Sequence, residues 1–316
     1  ARAGQPWVEP LPFAGRDAEL ATIEQALAAG KVLLIEGPAG IGKSRLVEEY
    51  LATHDSLALR GAARELDQVL PYQPIAEAIR QLLALPQWVS LRDRQEIAPI
   101  WIAEIARLAP ELTPERMADQ LAPPTDEPRM REGLSQAFRA LARRQPTVLA
   151  IDDIHWADTA TLGLLAYLAR QRAAGLSLIA TTRPVEPRSP AAAFVYSLTR
   201  EGRLARLNLG NLDDQAVRWL ARHISPRDSD TLAAWLQANA EGNPYIIVEL
   251  LYYALQRGML EADGTLHLAR LDHSPVVPPT IYSLVESRLT RLSAPARRVL
   301  DAAGAVRRSF GSGIVA

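Results

Sequence analysis

The segment Gly37-Pro-Ala-Gly-Ile-Gly-Lys43-Ser44 constrains this chain more than any other part of it. It fits G-x-x-x-x-G-K-[ST] without a mismatch. The run before it, Lys31-Val-Leu-Leu-Ile-Glu36, is short and apolar enough for a buried strand, and Lys43 to His54 reads as a helix. Glycines let the backbone curl so that successive N–H groups point inward at phosphate oxygens, and the following helix adds its positive end. Gly37, Pro38, Ala39, Gly40, Ile41, Gly42 and Arg45 therefore frame a phosphate site. Lys43 reaches for β- and γ-phosphates, and the Ser44 hydroxyl is placed to ligate Mg²⁺. The glycines at 37, 40 and 42 do not give the G-x-G-x-x-G of a dinucleotide-binding turn. Lys stands only at positions 31 and 43, nearly all of the 35 basic residues being Arg, yet position 43 is Lys.

A partner for this loop lies in Thr147-Val-Leu-Ala-Ile-Asp152-Asp153, an apolar strand ending in acid at the edge where ligands of α/β sheets bind. Asp152 is placed to hold Mg²⁺, directly or through water, and Asp153 to orient or deprotonate an attacking water. Taken alone, such an ending also serves strand-end solubility or helix capping. The strand Leu176–Thr181 leads to Arg183, whose guanidinium can sense a γ-phosphate on the same edge; a plain surface Arg is the alternative. Asp158 before Thr159 reads as a helix N-cap. His155 and Trp156 read as residues that pack against that helix.

Strands alternating with helices up to about Arg206 argue for a parallel sheet covered on both faces. Between Pro74 and Arg144 the pattern is mostly helical and broken by prolines. Beyond Arg206 the strand signal fades, and helices follow at Asp213–His223, Asp230–Ala240 and Tyr245–Arg257. A hairpin-like stretch surrounds Asp263-Gly264, and further helices are expected at Ile281–Leu292 and Ala294–Ala305. With 316 residues, the layout is a nucleotide domain over 1–206, a helical domain over 207–275 and a third module beginning at 276.

Composition narrows the function classes. A formal net charge of −1 gives no electrostatic footprint for nucleic acid or an anionic membrane. The absence of Cys excludes disulfides and thiolate metal sites, and fits a reducing cytoplasm. No stretch approaches the roughly 20 apolar residues of a membrane span. The start without Met and the unmarked end suit a fragment of something larger.

In their order, these motifs resemble the STAND family, AAA-like P-loop ATPases that act as switches in multidomain signalling proteins. Phe13-Ala-Gly15-Arg16-Asp-Ala-Glu19-Leu20 is similar to the family's N-terminal signature beside the adenine. Ile151-Asp-Asp-Ile-His-Trp-Ala-Asp158 is similar to the acidic segment of bacterial members, and Thr182-Arg183 to the sensor strand. Glu241-Gly-Asn-Pro244 is similar to the helical-domain segment whose proline approaches the nucleotide. Ser293 to Leu300 looks like the start of a winged helix, so the module at 276–316 is expected to be a partial winged-helix domain. The nearest likeness is to large ATP-binding bacterial regulators of the LuxR and maltose-regulon-activator types.

The resemblance implies an AAA-like α/β sheet followed by a helical lid and a winged-helix start, binding ATP or ADP with Mg²⁺. It implies a closed ADP state, a self-associating ATP state, slow hydrolysis, and sensor and effector domains beyond this stretch. Two alternatives stand beside it: an AAA-type remodeller or motor, and a scaffold that holds nucleotide without hydrolysing it. A motor needs a ring-completing Arg, and none is evident in the sequence.

Overall fold

The structure is a computed structural model that describes residues 11–68, 71–109, 127–261 and 263–267. It divides into two compact units, Gly15–Gly210 and a second that combines residues 11–14 with the chain from Asn211 onward. Among the described residues no helix is long and apolar enough to cross a membrane.

The first unit is built on five parallel strands: β1 (Val32–Glu36), β2 (Leu57–Ala62), β3 (Thr147–Asp152), β4 (Leu176–Thr182) and β5 (Leu204–Asn208). They lie in the order β2-β3-β4-β1-β5. Val32 to Ile35 are all buried, as a central strand covered on both faces requires. The crossovers are α2 (Lys43–Thr53), a helical series between β2 and β3, α7 (Thr159–Gln171) and α8 (Pro190–Arg200), with α1 (Asp17–Ala28) ahead of β1. Because β1 sits between β4 and β5, the chain leaves it towards β2 and returns on its other side. This brings the ends of β1, β3 and β4 to one edge of the sheet, where loops are free to hold a ligand.

The fifth strand is one the sequence reading did not name, although strands do give way to helices just after Arg206. Its burial alternates irregularly and Arg206 points outward to Glu36, at 2.7 Å. An edge strand exposed in this way lacks the apolar run that marks its buried neighbours.

The helical series comprises α3 (Gln73–Arg80), a 3-10 turn Gln81–Ala84, α4 (Pro86–Asp93), α5 (Pro99–Ala106) and α6 (Glu127–Arg144). The prolines at 74, 86 and 99 each sit in the first turn of a helix, so those at 86 and 99 open helices where the sequence reading took them as breaks. Trp88 and Phe138 are fully buried in the core these helices share with the sheet. Each such side chain contributes roughly 1.5–3 kcal/mol.

Strand β2 lies at the sheet's edge, and α3 with the 3-10 turn that follows it closes it with side chains. Gln81 accepts the Arg60 N–H at 3.0 Å and donates to the Arg60 carbonyl at 2.5 Å, while Glu77 accepts the Ala62 N–H at 3.0 Å. The helix comes so near that a Cβ on Gly61 would fall 1.9 Å from the Pro74 carbonyl oxygen. Tyr72, at φ 63°, precedes α3; its N–H donates to Asp158 at 3.2 Å and its hydroxyl to Glu127 at 2.7 Å. Burial and the adjacent Glu127 push the Tyr72 phenol up to about 12, so it stays a donor.

The second unit contains α9 (Asp214–Ile224), α10 (Ser229–Ala240) and α11 (Pro244–Gln256) around a core that includes Leu220, Leu236 and Leu250. Leu260 and Leu266 form an antiparallel bridge around a turn in which Asp263 accepts the Thr265 N–H at 2.9 Å. The winged-helix start expected over 276–316 lies outside the described residues.

Candidate functional site

The phosphate loop leaves β1 after Glu36 and enters α2 at Lys43. Gly40 (φ 79°) and Gly42 (φ 96°) occupy the left-handed region, which an L side chain adopts only with strain. Gly37 is crowded: a Cβ there would meet the Leu209 carbonyl oxygen at 2.8 Å. Ile41 is buried and pins the loop to the apolar interior, while Pro38 and Gly40 are exposed. Gly42 also caps α2, accepting the Leu46 N–H at 2.9 Å. The side chain of Arg45 turns outward to Glu49, at 3.4 Å.

Lys43 is only 7% exposed, and its ammonium donates to the carbonyls of Gly37 at 3.0 Å and Pro38 at 3.1 Å. Burial pushes its pKa below the ordinary lysine value; Asp153 and Asp152 oppose that shift and Arg183 adds to it. The cation therefore lies within electrostatic reach of all three residues that the sequence placed on this edge.

Ser44 donates to Asp152 Oδ2 at 2.5 Å, joining the first turn of α2 to the end of β3. Asp152 also accepts a short hydrogen bond from Thr181 on β4. The same Thr181 oxygen accepts the Asp153 N–H at 2.9 Å. Asp153 sits at φ 54° and ψ 46°, a left-handed conformation rare outside Gly, which turns the chain sharply out of the strand. Thr181 thus joins both acids, a role the sequence reading did not assign. The nearest sequence signal was a hydroxyl residue at the end of the strand that leads to Arg183.

Ser44 and Asp152 offer hard oxygen donors side by side, the chemistry Mg²⁺ takes when it shares its shell with phosphate and water. The glycine cradle and Lys43 suit the phosphates themselves. The residues present therefore fit ATP or ADP with Mg²⁺. A cleft of about 340 Å³ opens beside Ser44 and Asp152 and runs under α2 towards Glu48, Arg60 and Gln81.

Arg183 follows β4 with its side chain exposed. Its N–H donates to His155 Nδ1 at 3.4 Å, and that nitrogen lies 3.6 Å from Asp153 Oδ1. Trp156 packs against the main core, in line with the packing read from sequence. Asp158 caps α7, accepting the Thr161 N–H at 2.8 Å, as its place before Thr159 implied.

Three residues expected to contact the nucleotide, Gly15, Arg16 and Pro244, have local structural duties. Gly15 is at φ 65° and leads into α1. Arg16 is nearly buried, donating to Glu19 at 2.7 Å and to the Gly210 carbonyl at 2.6 Å, which ties the start of the unit to its end. Pro244 belongs to the second unit, where the Glu241–Pro244 segment builds a tight corner. Glu241 (φ 48°) ends α10, Gly242 (φ 76°) accepts the Leu212 N–H at 2.8 Å, and Asn243 caps α11 through the Tyr245 N–H at 3.0 Å. Pro244 then occupies the first turn of α11, where its missing N–H is harmless.

Comparison with known proteins places this edge in context. A family model described as the AAA ATPase domain matches residues 12–180. A protein of Rhizobium meliloti (strain 1021), described as uncharacterized, is 28% identical over 322 residues; the match covers 92% of this chain and 29% of that protein. The chain thus spans less than a third of the length of that relative. Among solved structures, the Walker-type ATPase of Pyrococcus abyssi superposes with a TM-score of 0.59 at 14% identity, over 92% of this chain and 78% of that one. That likeness shows the fold. A Signal Transduction ATPase with Numerous Domains from Pyrococcus horikoshii, carrying a tetratricopeptide repeat sensor, gives a TM-score of 0.45 at 17% identity, over 94% of this chain and 35% of that one.

Proposed function

This chain belongs to the AAA ATPase domain family, and from that premise we propose that it is an ATP/ADP-governed switch of the STAND type, with slow ATP hydrolysis. The observation that carries the proposal is the hydrogen-bonded series Ser44–Asp152–Thr181–Asp153 beside a buried Lys43. It joins the phosphate loop, the metal-binding acid and the hydrolytic acid across three strands.

When bound, ATP supplies the phosphoryl bond to be cleaved, and Mg²⁺ neutralises charge on its phosphate oxygens. The chain's own residues do the rest. The loop N–H groups and Lys43 hold the phosphates, and Ser44 and Asp152 hold the metal. Asp153 accepts a proton from, or orients, the water that attacks. Arg183 presents a cation beside Lys43 that distinguishes a terminal phosphate from its absence. Arg16 and Pro244 act on the nucleoside side, as the resemblance implies.

Slow turnover fits a sequence in which no ring-completing Arg is evident, since such a finger is worth roughly 10³–10⁵ in rate. ADP then stabilises a resting state by mass action, and ATP biases a self-associating one. The sensor and effector domains lie elsewhere in a longer cytoplasmic protein, and this stretch binds neither membrane nor nucleic acid directly.

The test is to purify the protein, release whatever nucleotide it carries and identify it by chromatography, with Lys43→Ala as the control. Near-stoichiometric ADP that disappears in the control supports the switch. A nucleotide-free preparation that turns over ATP many times per second overturns it and favours a motor.

A further inference from the structure

We infer that His155 is a positioning residue, whose imidazole accepts the Arg183 peptide N–H and so ties the phosphate-sensing Arg183 to the turn that carries the hydrolytic acid Asp153. The inference rests on the roles proposed above for those two residues. Its geometry comes from the way β4 holds the exit of β3. Thr181 makes one attachment, accepting the Asp153 N–H at 2.9 Å and donating to Asp152. Arg183, two residues on, makes a second, its N–H donating to His155 Nδ1 at 3.4 Å. The Asp153 carboxylate, 3.6 Å from that same nitrogen, makes no hydrogen bond to it; the acid and the ring are joined through the short turn of chain they share. His155 therefore stands between the acid and the peptide that carries the sensor.

The ring has both an apolar and a polar task. The ring lies beside Trp156 in a tilted contact, with centroids 4.9 Å apart and planes at 42°, and Trp156 is itself seated on the core. That contact fixes the plane of the imidazole and explains why the sequence reads as simple packing. The ring edge is different. Because Nδ1 accepts from Arg183, the proton of the neutral ring is on Nε2. Nε2 is buried and finds no hydrogen-bond partner in the described protein. A ring that only packed would gain nothing from two nitrogens in such a place, since burying an unpaired polar atom is unfavourable. Burial pushes the His155 pKa down, Asp153 and Asp152 oppose this, and Arg183 and Lys43 reinforce it. That setting favours the neutral ring, which is the form able to accept from Arg183.

Without the second attachment, Asp153 and Arg183 remain in place on average but lose their mutual register. Affinity for ADP, which depends on the phosphate loop, is then unaffected, whereas hydrolysis and the preference between ATP and ADP both suffer. The chemistry of three substitutions separates these effects. His155→Phe keeps a ring against Trp156 and removes both nitrogens. His155→Asn places an acceptor oxygen near the position of Nδ1. His155→Gln places its amide nearer the position of Nε2.

The experiment measures ADP and ATP affinity by calorimetry, single-turnover hydrolysis and melting temperature for the three variants, with Asp153→Asn alongside. His155→Phe is expected to leave melting temperature and ADP affinity close to the parent and to slow hydrolysis by about tenfold or more, the scale of a small misplacement at a reacting centre. His155→Asn is expected to restore most of that loss, and His155→Gln much less. Parent-like hydrolysis in His155→Phe overturns the inference, as does a His155→Asn no better than His155→Phe. Equal loss of ADP affinity and melting temperature in both variants also overturns it, by making the residue merely structural. If the parent protein neither binds nor hydrolyses ATP, the functional reading itself fails. If Asp153→Asn abolishes turnover while His155→Phe does not, that reading stands and the role of His155 alone falls.

Discussion

Two polar clusters sit at neighbouring strand ends and use much the same side chains, yet their partners differ in kind. Around Glu77, Gln81 and Asp158, each side chain holds backbone, namely the Arg60 peptide, the Ala62 N–H, the Tyr72 N–H and the Thr161 N–H, with Arg64 on Glu77 and the Thr161 hydroxyl on Asp158 in addition. Around Ser44 and Asp152, side chain meets side chain, and Thr181 alone also accepts a peptide N–H, that of Asp153. A buried backbone N–H must be satisfied, so the first set is bound to its task by the fold. A hydroxyl–carboxylate pair has further lone pairs and can exchange its partner for a metal or a phosphate without stranding a peptide group. Residue type alone does not separate structure from function on this edge. What each group is bonded to does.

The comparison can be broken in several places. Lys43→Ala should lower nucleotide affinity by about a thousandfold, roughly 4 kcal/mol, while the unfolding midpoint barely moves. Calorimetric titration with ADP checks the first part and a melt the second. On the structural side, Gly61→Val forces a side chain into the Pro74 carbonyl, and denaturant unfolding should show a loss of about 3 kcal/mol. Asp158→Ala removes both a helix cap and the tie to Tyr72. A loss of about 2 kcal/mol is expected, with ADP affinity of the remaining folded protein unchanged. Were affinity to fall instead, Asp158 would belong with the ligand-facing set.

Thr181→Val tests the link between the sets most finely. The shape is kept and the hydroxyl that joins Asp152 to the Asp153 N–H is lost. Hydrolysis should drop about tenfold at a stability cost of about 1 kcal/mol. Gln81→Ala comes last, with about 1 kcal/mol or less and no effect on turnover.

Much of this was legible from the sequence because it is local. The phosphate loop announces itself through glycines that must adopt positive φ, followed at once by Lys43 and a helix. The buried strands β1, β3 and β4 each carry an apolar run, and Asp158 declares a cap by standing directly before its helix. What escaped reading depends on residues distant in the chain. Thr181 acts on acids 28 and 29 positions away, and Gln81 completes a strand 21 positions earlier. Strand β5 is half-exposed and carries no apolar run to mark it. The Glu241–Pro244 corner shows the converse: a motif read through family resemblance has a complete local explanation in helix ends and a glycine turn, which stands beside any contact with nucleotide.

The amide of Gln81 has a chemical consequence over the protein's lifetime. It copies a peptide unit, offering one acceptor and one donor to Arg60, and so denies the rim of the sheet to strands from other molecules. Deamidation would change a single atom, replacing the nitrogen that donates to the Arg60 carbonyl by an oxygen that repels it. An aged copy of the chain would then keep the Arg60 N–H and the Glu77 tie but lose one of the bonds that cover the rim at β2.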